Sequence, residues 1–147
     1  MIPYLTPPNW PWLPFNFFTM LILLGTLAAF YVAVRQGRRH GLPRGDVIEM
    51  GLWTAIPGYL GSHTLLVVFY HPERILSDPW SLIRFHEGIS AFGGLVSAVI
   101  AFAIYIRLNG LQSEWRMRGD ILMQGFIIAW IFGRTGCSFV HDHPGVL

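Results

Sequence analysis

The chain has 147 residues, a length that suits one domain of ordinary size. Hydrophobic residues make up 53% of it and charged residues only 12%, whereas soluble domains carry ~25% charged residues. This composition excludes disorder, a charged tail and most soluble enzymes, and it predicts a chain whose solvent is largely lipid. The net charge of +2 is spread in short groups between apolar runs, so we expect no nucleic-acid partner.

Four apolar runs are long enough to cross a membrane as helices, because a helix of about 20 residues spans the hydrocarbon core. They cover residues 15–34, 50–70, 88–106 and 121–140, and only the last contains a charge, Arg134. Backbone groups in lipid must be satisfied within the segment, which excludes open strands. The prediction is an all-α, polytopic membrane helix bundle that forms a single membrane domain over residues 1–147.

The first run is predicted to be a retained helix and not a signal peptide. It has no basic residue before it, its arginines follow it, and it is longer than a signal-peptide core. The segment before it, residues 1–14, is rich in Pro and Trp, which is typical of the membrane interface.

The distribution of the ten arginines predicts the orientation. Seven are expected in the two loops that follow the first and third runs, and two in the 71–87 loop, where acidic residues offset them. Positive loops face the cytoplasm, so the N-terminus, the 71–87 loop and the residues after Val140 are predicted to lie outside. The seven are Arg35, Arg38, Arg39, Arg44, Arg107, Arg116 and Arg118.

Glycine and proline mark two of the runs. Pro57 lies in the second run near Gly58 and Gly61, which indicates either a kinked helix with close packing or a broken helix that lines a cavity. His86 and Glu87 directly precede the third run, and Gly93–Gly94 follow within its first residues. This pattern fits helix packing through the two glycines and equally fits a substrate-facing role.

Arg134 is the residue of the spans for which a functional role is most plausible. Its position about six residues from the predicted outer end allows two interpretations: an anchor that extends to the headgroups, or a guanidinium that binds a lipid phosphate. Gly133 and Gly136 flank it, and small residues permit close approach of the backbone.

The residues after the fourth run, His141-Asp142-His143, place a carboxylate between two imidazoles. Three interpretations stay open: part of a site for a lipid headgroup, an ordinary interfacial turn, or a metal site that lacks further ligands. We predict no metal and no cofactor. The single cysteine, Cys137, is interpreted as a packing residue.

Several of these stretches together resemble the prolipoprotein diacylglyceryl transferase family. They are residues 88–95 (GISAFGGL), 133–136 (GRTG) with a carboxylate beyond them, and 60–61 with 67–72 (VVFYHP). The similarity follows the family's order and spacing over almost the whole chain. It covers about the N-terminal half of such an enzyme, whose fold is a bundle of seven helices.

The resemblance implies an enzyme of the bacterial inner membrane with its site facing the periplasm. The family transfers a diacylglyceryl group from phosphatidylglycerol to the lipobox cysteine thiol of a prolipoprotein, next to its signal peptide. Arg134 matches the family's phospholipid-binding arginine, Asp142 stands where the family has a glutamate, and Gly145 matches the glycine that closes the motif. Gly93, Gly94 and Gly136 are implied to contact substrate.

The chain departs from the family pattern at several positions. Phe92 replaces the histidine before the double glycine, Cys137 replaces an asparagine, and His63 replaces an arginine; the tyrosine of the first helix is Phe18 or Ile22. Phenylalanine cannot accept a proton, so the base is expected to be His86, His63 or His141. Two functions stay open: the transferase, or a non-catalytic bundle that binds phospholipid or a partner protein.

Overall fold

A computed structural model describes residues 17–70, 72 and 90–140 of the chain. The four helices are α1 (Phe17–Arg39), α2 (Arg44–Tyr70), α3 (Ala91–Leu108) and α4 (Trp115–Val140). All four are long and apolar enough to cross a membrane. The prediction of an all-helical chain with four membrane-spanning helices is confirmed for the described residues.

The helices extend beyond the apolar runs, and the prediction that the arginines lie in loops is therefore wrong. Arg35, Arg38 and Arg39 belong to the last turns of α1, and Arg44 begins α2. Arginine is a good helix former, and cations in the last turn interact favourably with the helix dipole. The helical hydrogen bonding therefore continues where the hydrophobic stretch ends. On the other predicted cytoplasmic connection, Arg107 lies in the last turn of α3, and Arg116 and Arg118 lie on α4.

α1 and α3 end in the same way, with a glycine in the left-handed region. Gly41 has φ 78° and Gly110 has φ 66°. After each glycine, an amide reaches back five residues: Leu42 donates to Gly37 (2.9 Å) and Leu111 donates to Ile106 (3.0 Å). These are Schellman motifs, which satisfy the last carbonyls of a helix and reverse the chain within a few residues.

The chain divides into two compact units. The first comprises Met1–Arg44 and Met117–Leu147, so it contains α1 and nearly all of α4. The second, Gly45–Arg116, contains nearly all of α2 together with α3. Each unit is thus one pair of helices.

In the first unit, α1 and α4 pack antiparallel through small residues. A methyl group placed on Gly25 would lie 2.7 Å from Phe132 Cβ, and one placed on Gly125 would lie 2.8 Å from the carbonyl oxygen of Ala29. Further along the pair, the amides of Gln36 and Gln124 form a hydrogen bond. Close backbone approach is how helices associate in lipid, where apolar side chains gain nothing by leaving it.

In the second unit, α2 and α3 also pack antiparallel, and their contact consists of smaller residues. Pro57 lies within a continuous α2, so the unbroken helix is the alternative that the structure shows. The next residue, Gly58, faces Ala98 Cβ, at 3.2 Å from a methyl placed on it, and Gly61 faces Ser97. Met50, Val67 and Tyr105, which belong to this unit, have buried side chains.

Candidate functional site

Arg134 lies on α4, six residues before the helix ends at Val140, and its side chain is exposed. Two exposed hydroxyl residues accompany it. The Thr135 hydroxyl donates to the carbonyl of Ile131 (2.8 Å), and the Ser138 hydroxyl donates to the carbonyl of Arg134 (2.9 Å). Because the proton of each hydroxyl is used in a hydrogen bond within the helix, only the oxygen lone pairs remain available, as acceptors.

The opposite face of α4 packs against α1 and fixes the helix that carries Arg134. A methyl placed on Gly136 would lie 2.8 Å from Phe18 Cδ2, whereas one placed on Gly133 would meet only Ile22 Cδ1, at 3.6 Å. The two glycines beside Arg134 are therefore not equivalent. Gly136 is buried and its surroundings leave too little space for a methyl group, whereas the surroundings of Gly133 would accommodate one.

Among the described residues, none forms a hydrogen bond or an ion pair with the Arg134 guanidinium. An unpaired arginine raises the free energy of inserting a helix into a membrane by a few kcal/mol, unless its side chain reaches water, a headgroup or a partner. Its planar fork suits a phosphate, to which it can donate two parallel hydrogen bonds. The local arrangement of one cation and two acceptor oxygens can thus bind an anionic, hydroxyl-bearing headgroup.

The second unit brings together several other predicted site residues where α3 begins. Ser90 caps α3: its side chain accepts from the amide of Gly93 at 3.3 Å, and its own amide donates to the carbonyl of Ser62 on α2 at 3.0 Å. His63, the next residue of α2, is completely buried (0% exposed). This end of α3 is thus held to α2 by backbone as well as by side chains.

Gly93 and Gly94 are contact residues between α2 and α3. A methyl on Gly93 would lie 2.8 Å from Leu65 Cβ, and one on Gly94 would lie 3.2 Å from Ser62 Cβ. The packing interpretation of the double glycine therefore describes what these residues do in the structure. Phe92, which stands in place of the family's histidine, is exposed.

Four of the predicted site residues, His86, His141, Asp142 and Gly145, lie outside the described residues, as does His143. Their roles stay predictions. Within the parts of the chain that the structure does describe, no three His, Cys, Asp or Glu side chains are grouped so as to hold a metal ion. Cys137 is a free, half-buried thiol.

Sequence reasoning missed the contacts that position these groups. Gln36 follows the first apolar run and Gln124 lies in the fourth, and nothing in the sequence indicates that their amides meet. The small residues on α4 did carry a signal, since Gly125, Ala129 and Gly133 recur every four residues and lie on one helix face. That pattern predicts a contact face but not the helix that it contacts.

Comparison with known proteins bears directly on this arrangement. Residues 9–146 match the family of prolipoprotein diacylglyceryl transferases. The chain belongs to this family. The match includes all four helices and Arg134, and it extends through the segment that carries Asp142 and Gly145.

Curated members of the prolipoprotein diacylglyceryl transferase family from several bacteria are similar to the chain, and they are named phosphatidylglycerol–prolipoprotein diacylglyceryl transferases. The protein of Staphylococcus carnosus strain TM300 is 26% identical over 88% of the chain and 46% of its own length. The protein of Shouchella clausii strain KSM-K16 is 29% identical over 85% of the chain and 44% of its own length. The chain thus spans about half the length of the curated relatives it matches. No solved structure matches it.

Proposed function

We propose that the chain contributes to a phosphatidylglycerol–prolipoprotein diacylglyceryl transferase and carries its phosphate-binding arginine. In the proposed reaction, the cysteine sulfur of the prolipoprotein bonds to the glyceryl carbon that bears the phosphate. The carbon–oxygen bond to the phosphate breaks, glycerol phosphate leaves, and the thiol proton passes to a base. The product is a thioether that carries the diacylglyceryl group.

The observation that carries this proposal is the exposed Arg134 guanidinium, which has no carboxylate or amide partner among the described residues. Negative charge on the phosphate increases as the carbon–oxygen bond breaks, so a cation that is already in place stabilises the transition state more than the ground state. In a site that excludes water, this electrostatic contribution is larger than it would be in solution.

A base is required to make the thiolate, and His86 and His141 are the residues that we propose for it. His63 is fully buried in the second unit, which supports a contribution to substrate binding through α2 over direct proton transfer. Asp142 is proposed to orient the base or to bind a headgroup hydroxyl. The tight contacts of Gly93, Gly94 and Gly136 support an indirect part in substrate binding, because each of them fixes the packing of its own helix pair. Gly145 closes the motif.

The chain is a membrane protein, with four helices of spanning length. We propose that its N-terminus and the Arg134 end of α4 face the outside of the bacterial membrane, where the signal peptide of a prolipoprotein presents its lipobox. The support is the arginine distribution: seven of ten lie at the opposite helix ends or connections. Labelling of Cys137 and of introduced cysteines with an impermeant maleimide tests this orientation.

The test of function is complementation of a bacterial strain that lacks the transferase. The unaltered protein is expected to restore lipoprotein modification, and Arg134→Ala to abolish it. Arg134→Lys is expected to retain a part, because lysine keeps the charge but loses the two-pronged geometry. Arg35→Ala is the matched control, since Arg35 is an exposed arginine on α1. Equal activity of Arg134→Ala and Arg35→Ala would contradict the proposal.

A non-catalytic phospholipid-binding bundle gives a different pattern. In that case neither the unaltered protein nor any variant complements the strain, while phosphatidylglycerol binding is retained and still depends on Arg134. Measuring lipid binding beside complementation therefore separates the two functions.

A further inference from the structure

One face of α4 is exposed along the helix from its middle to Arg134 and beyond. The residues of this face are separated alternately by three positions and by one position in the sequence, a spacing typical of one side of a helix. They are Met123, Phe126, Ile127, Trp130, Ile131, Arg134, Thr135 and Ser138. Because α1 contacts the opposite side of α4, this face is free within the first unit.

The exposed face of α4 is apolar over its first part and polar over its last part. Its first five residues are large and apolar, and the rings of Phe126 and Trp130 lie 5.5 Å apart, centroid to centroid. The last three are the cation and the two hydroxyl residues described above. The exposed arginines of α1 lie in a cluster at the end of that helix, whereas Arg134 is the only charge in residues 121–140.

The dimensions match half a bilayer. Met123 lies three turns before Arg134, which is about 16 Å along the axis, and one leaflet of hydrocarbon is about 15 Å thick. The apolar part must extend from Arg134 toward the start of the helix, because only six residues remain in the other direction. A lipid with its phosphate at Arg134 would therefore direct its chains along these five residues toward the bilayer midplane.

The polar part is selective for a class of headgroup. A guanidinium attracts an anionic phosphate and repels the ammonium group of a zwitterionic lipid. The oxygens of Thr135 and Ser138, whose protons are bonded to helix carbonyls, accept hydrogen bonds from headgroup hydroxyls. An anionic polyol phospholipid satisfies both requirements.

We infer that the exposed face of α4 is an acyl-chain track, on which an anionic phospholipid rests its chains against Phe126, Ile127, Trp130 and Ile131 while Arg134, Thr135 and Ser138 hold its headgroup. This inference rests on the proposed function, since it assigns the chains of the lipid whose phosphate binds Arg134. It adds a prediction about residues that never touch the reacting atoms.

The test is quenching of tryptophan fluorescence by lipids with brominated acyl chains, in bilayers of otherwise zwitterionic lipid. The full chain is measured with brominated phosphatidylglycerol and with brominated phosphatidylcholine at equal mole fraction. Subtracting the spectrum of Trp130→Phe isolates the emission of Trp130. Trp53→Phe is the matched control, because Trp53 of α2 is 45% exposed and Trp130 is 44% exposed.

The anionic lipid is expected to be enriched about tenfold over the zwitterionic one at Trp130, which corresponds to ~1.4 kcal/mol. At Trp53 the two lipids should quench equally. The enrichment should disappear in Arg134→Ala and persist in Arg35→Ala. Retention of radiolabelled phosphatidylglycerol by each variant is measured in parallel and reports whether the lipid binds, independently of where its chains lie.

Three results would overturn the inference. Equal quenching of Trp130 by both lipids, with Arg134-dependent retention of phosphatidylglycerol intact, would show that the headgroup site exists but that the chains lie elsewhere. Absence of quenching by either lipid would show that protein covers this face. Retention that does not depend on Arg134 would contradict the phosphate site and with it the proposed function.

Discussion

The two helix pairs achieve the same close contact with different side chains. Between α2 and α3, glycines meet serine, alanine and leucine side chains, and a backbone hydrogen bond joins Ser90 to Ser62. Between α1 and α4, glycines meet two phenylalanine side chains and the backbone of Ala29, and a side-chain amide pair provides the polar contact. A contact between small side chains and backbone has few ways to rearrange, whereas a phenylalanine ring can rotate away from a new methyl group.

We therefore expect the α2–α3 contact at Gly61, which faces Ser97 Cβ, to accommodate a methyl group less readily than the α1–α4 contact at Gly136, which faces the Phe18 ring. Addition of one methyl group should therefore lower the stability more in the α2–α3 pair than in the α1–α4 pair. The following predictions test that asymmetry.

The largest effect is expected from Gly61→Ala. The new methyl group would overlap with the side chain of Ser97, including Ser97 Cβ, which a change of side-chain rotamer does not move. Overpacking of this kind lowers the free energy of unfolding by about 3 kcal/mol at the upper end of its range. The higher helix propensity of alanine offsets less than ~1 kcal/mol of this loss. The thermal unfolding midpoint in detergent should fall accordingly.

Gly45→Ala is the control for that prediction, because no atom lies within 4 Å of a methyl placed there. It should leave the midpoint unchanged or raise it. Adding Ser97→Gly to Gly61→Ala should recover part of the loss by removing the side chain that collides. If Gly61→Ala is as stable as the unaltered chain, the α2–α3 contact accommodates a methyl group readily and the expectation is wrong.

A smaller effect is expected from Gly136→Ala in the other pair. The methyl would meet the Phe18 ring at 2.8 Å, and the ring can yield, so we expect a cost of about 1–2 kcal/mol in unfolding free energy. Because α1 sets the position of α4, the variant should also reduce the activity that depends on Arg134. Unfolding and lipoprotein modification are both measured.

Gly133→Ala on the other side of Arg134 is the matched control and should be tolerated, since its methyl would make an ordinary contact with Ile22. Phe18→Leu should restore part of the stability lost in Gly136→Ala. Equal losses in the two glycine variants would mean that proximity to Arg134, and not packing against α1, determines the outcome.

A modest effect is expected from removal of the amide pair. Hydrogen bonds between membrane helices contribute about 0.6 kcal/mol on average. A double-mutant cycle with Gln36→Leu and Gln124→Leu should therefore give a coupling energy near that value. A coupling energy of zero would show that the two amides are held by other groups in the membrane.

The smallest effect is expected from Cys137→Ala. The thiol is half-buried and free, so the change should alter the free energy of unfolding by no more than ~0.5 kcal/mol. Lipoprotein modification should be unchanged. Loss of activity without loss of stability would assign the cysteine a chemical role that its position does not suggest.

The sequence predicted the four helices because runs without charge are a strong signal in a membrane protein. It did not predict their ends, since the arginines of α1 and α4 continue the helices beyond the apolar runs. Pro57 alone could not distinguish a continuous helix from a broken one, because packing of the neighbouring glycines against α3 decides between them.

The candidate site was predicted in part. Arg134 was recognisable as the only charge in its span, and its exposure agrees with a role in ligand binding. The pairing of α1 with α4 was not recognisable, because in lipid the contacting and lipid-facing sides of a helix are both apolar. The difference between Gly133 and Gly136 depends on which α1 side chain each one faces, and only the structure supplies that information.

The hydrogen bond from the Ser90 amide to the Ser62 carbonyl limits which substitutions can weaken the α2–α3 contact. Neither group belongs to a side chain, so the bond places no demand on which residue occupies position 62, apart from the small size that Gly94 requires. Ordinary mutagenesis therefore leaves the bond in place, apart from proline at position 90. Replacing the Ser90 amide with an ester in a semisynthetic chain would remove the donor alone, and would measure how much of the α2–α3 contact is independent of side-chain identity.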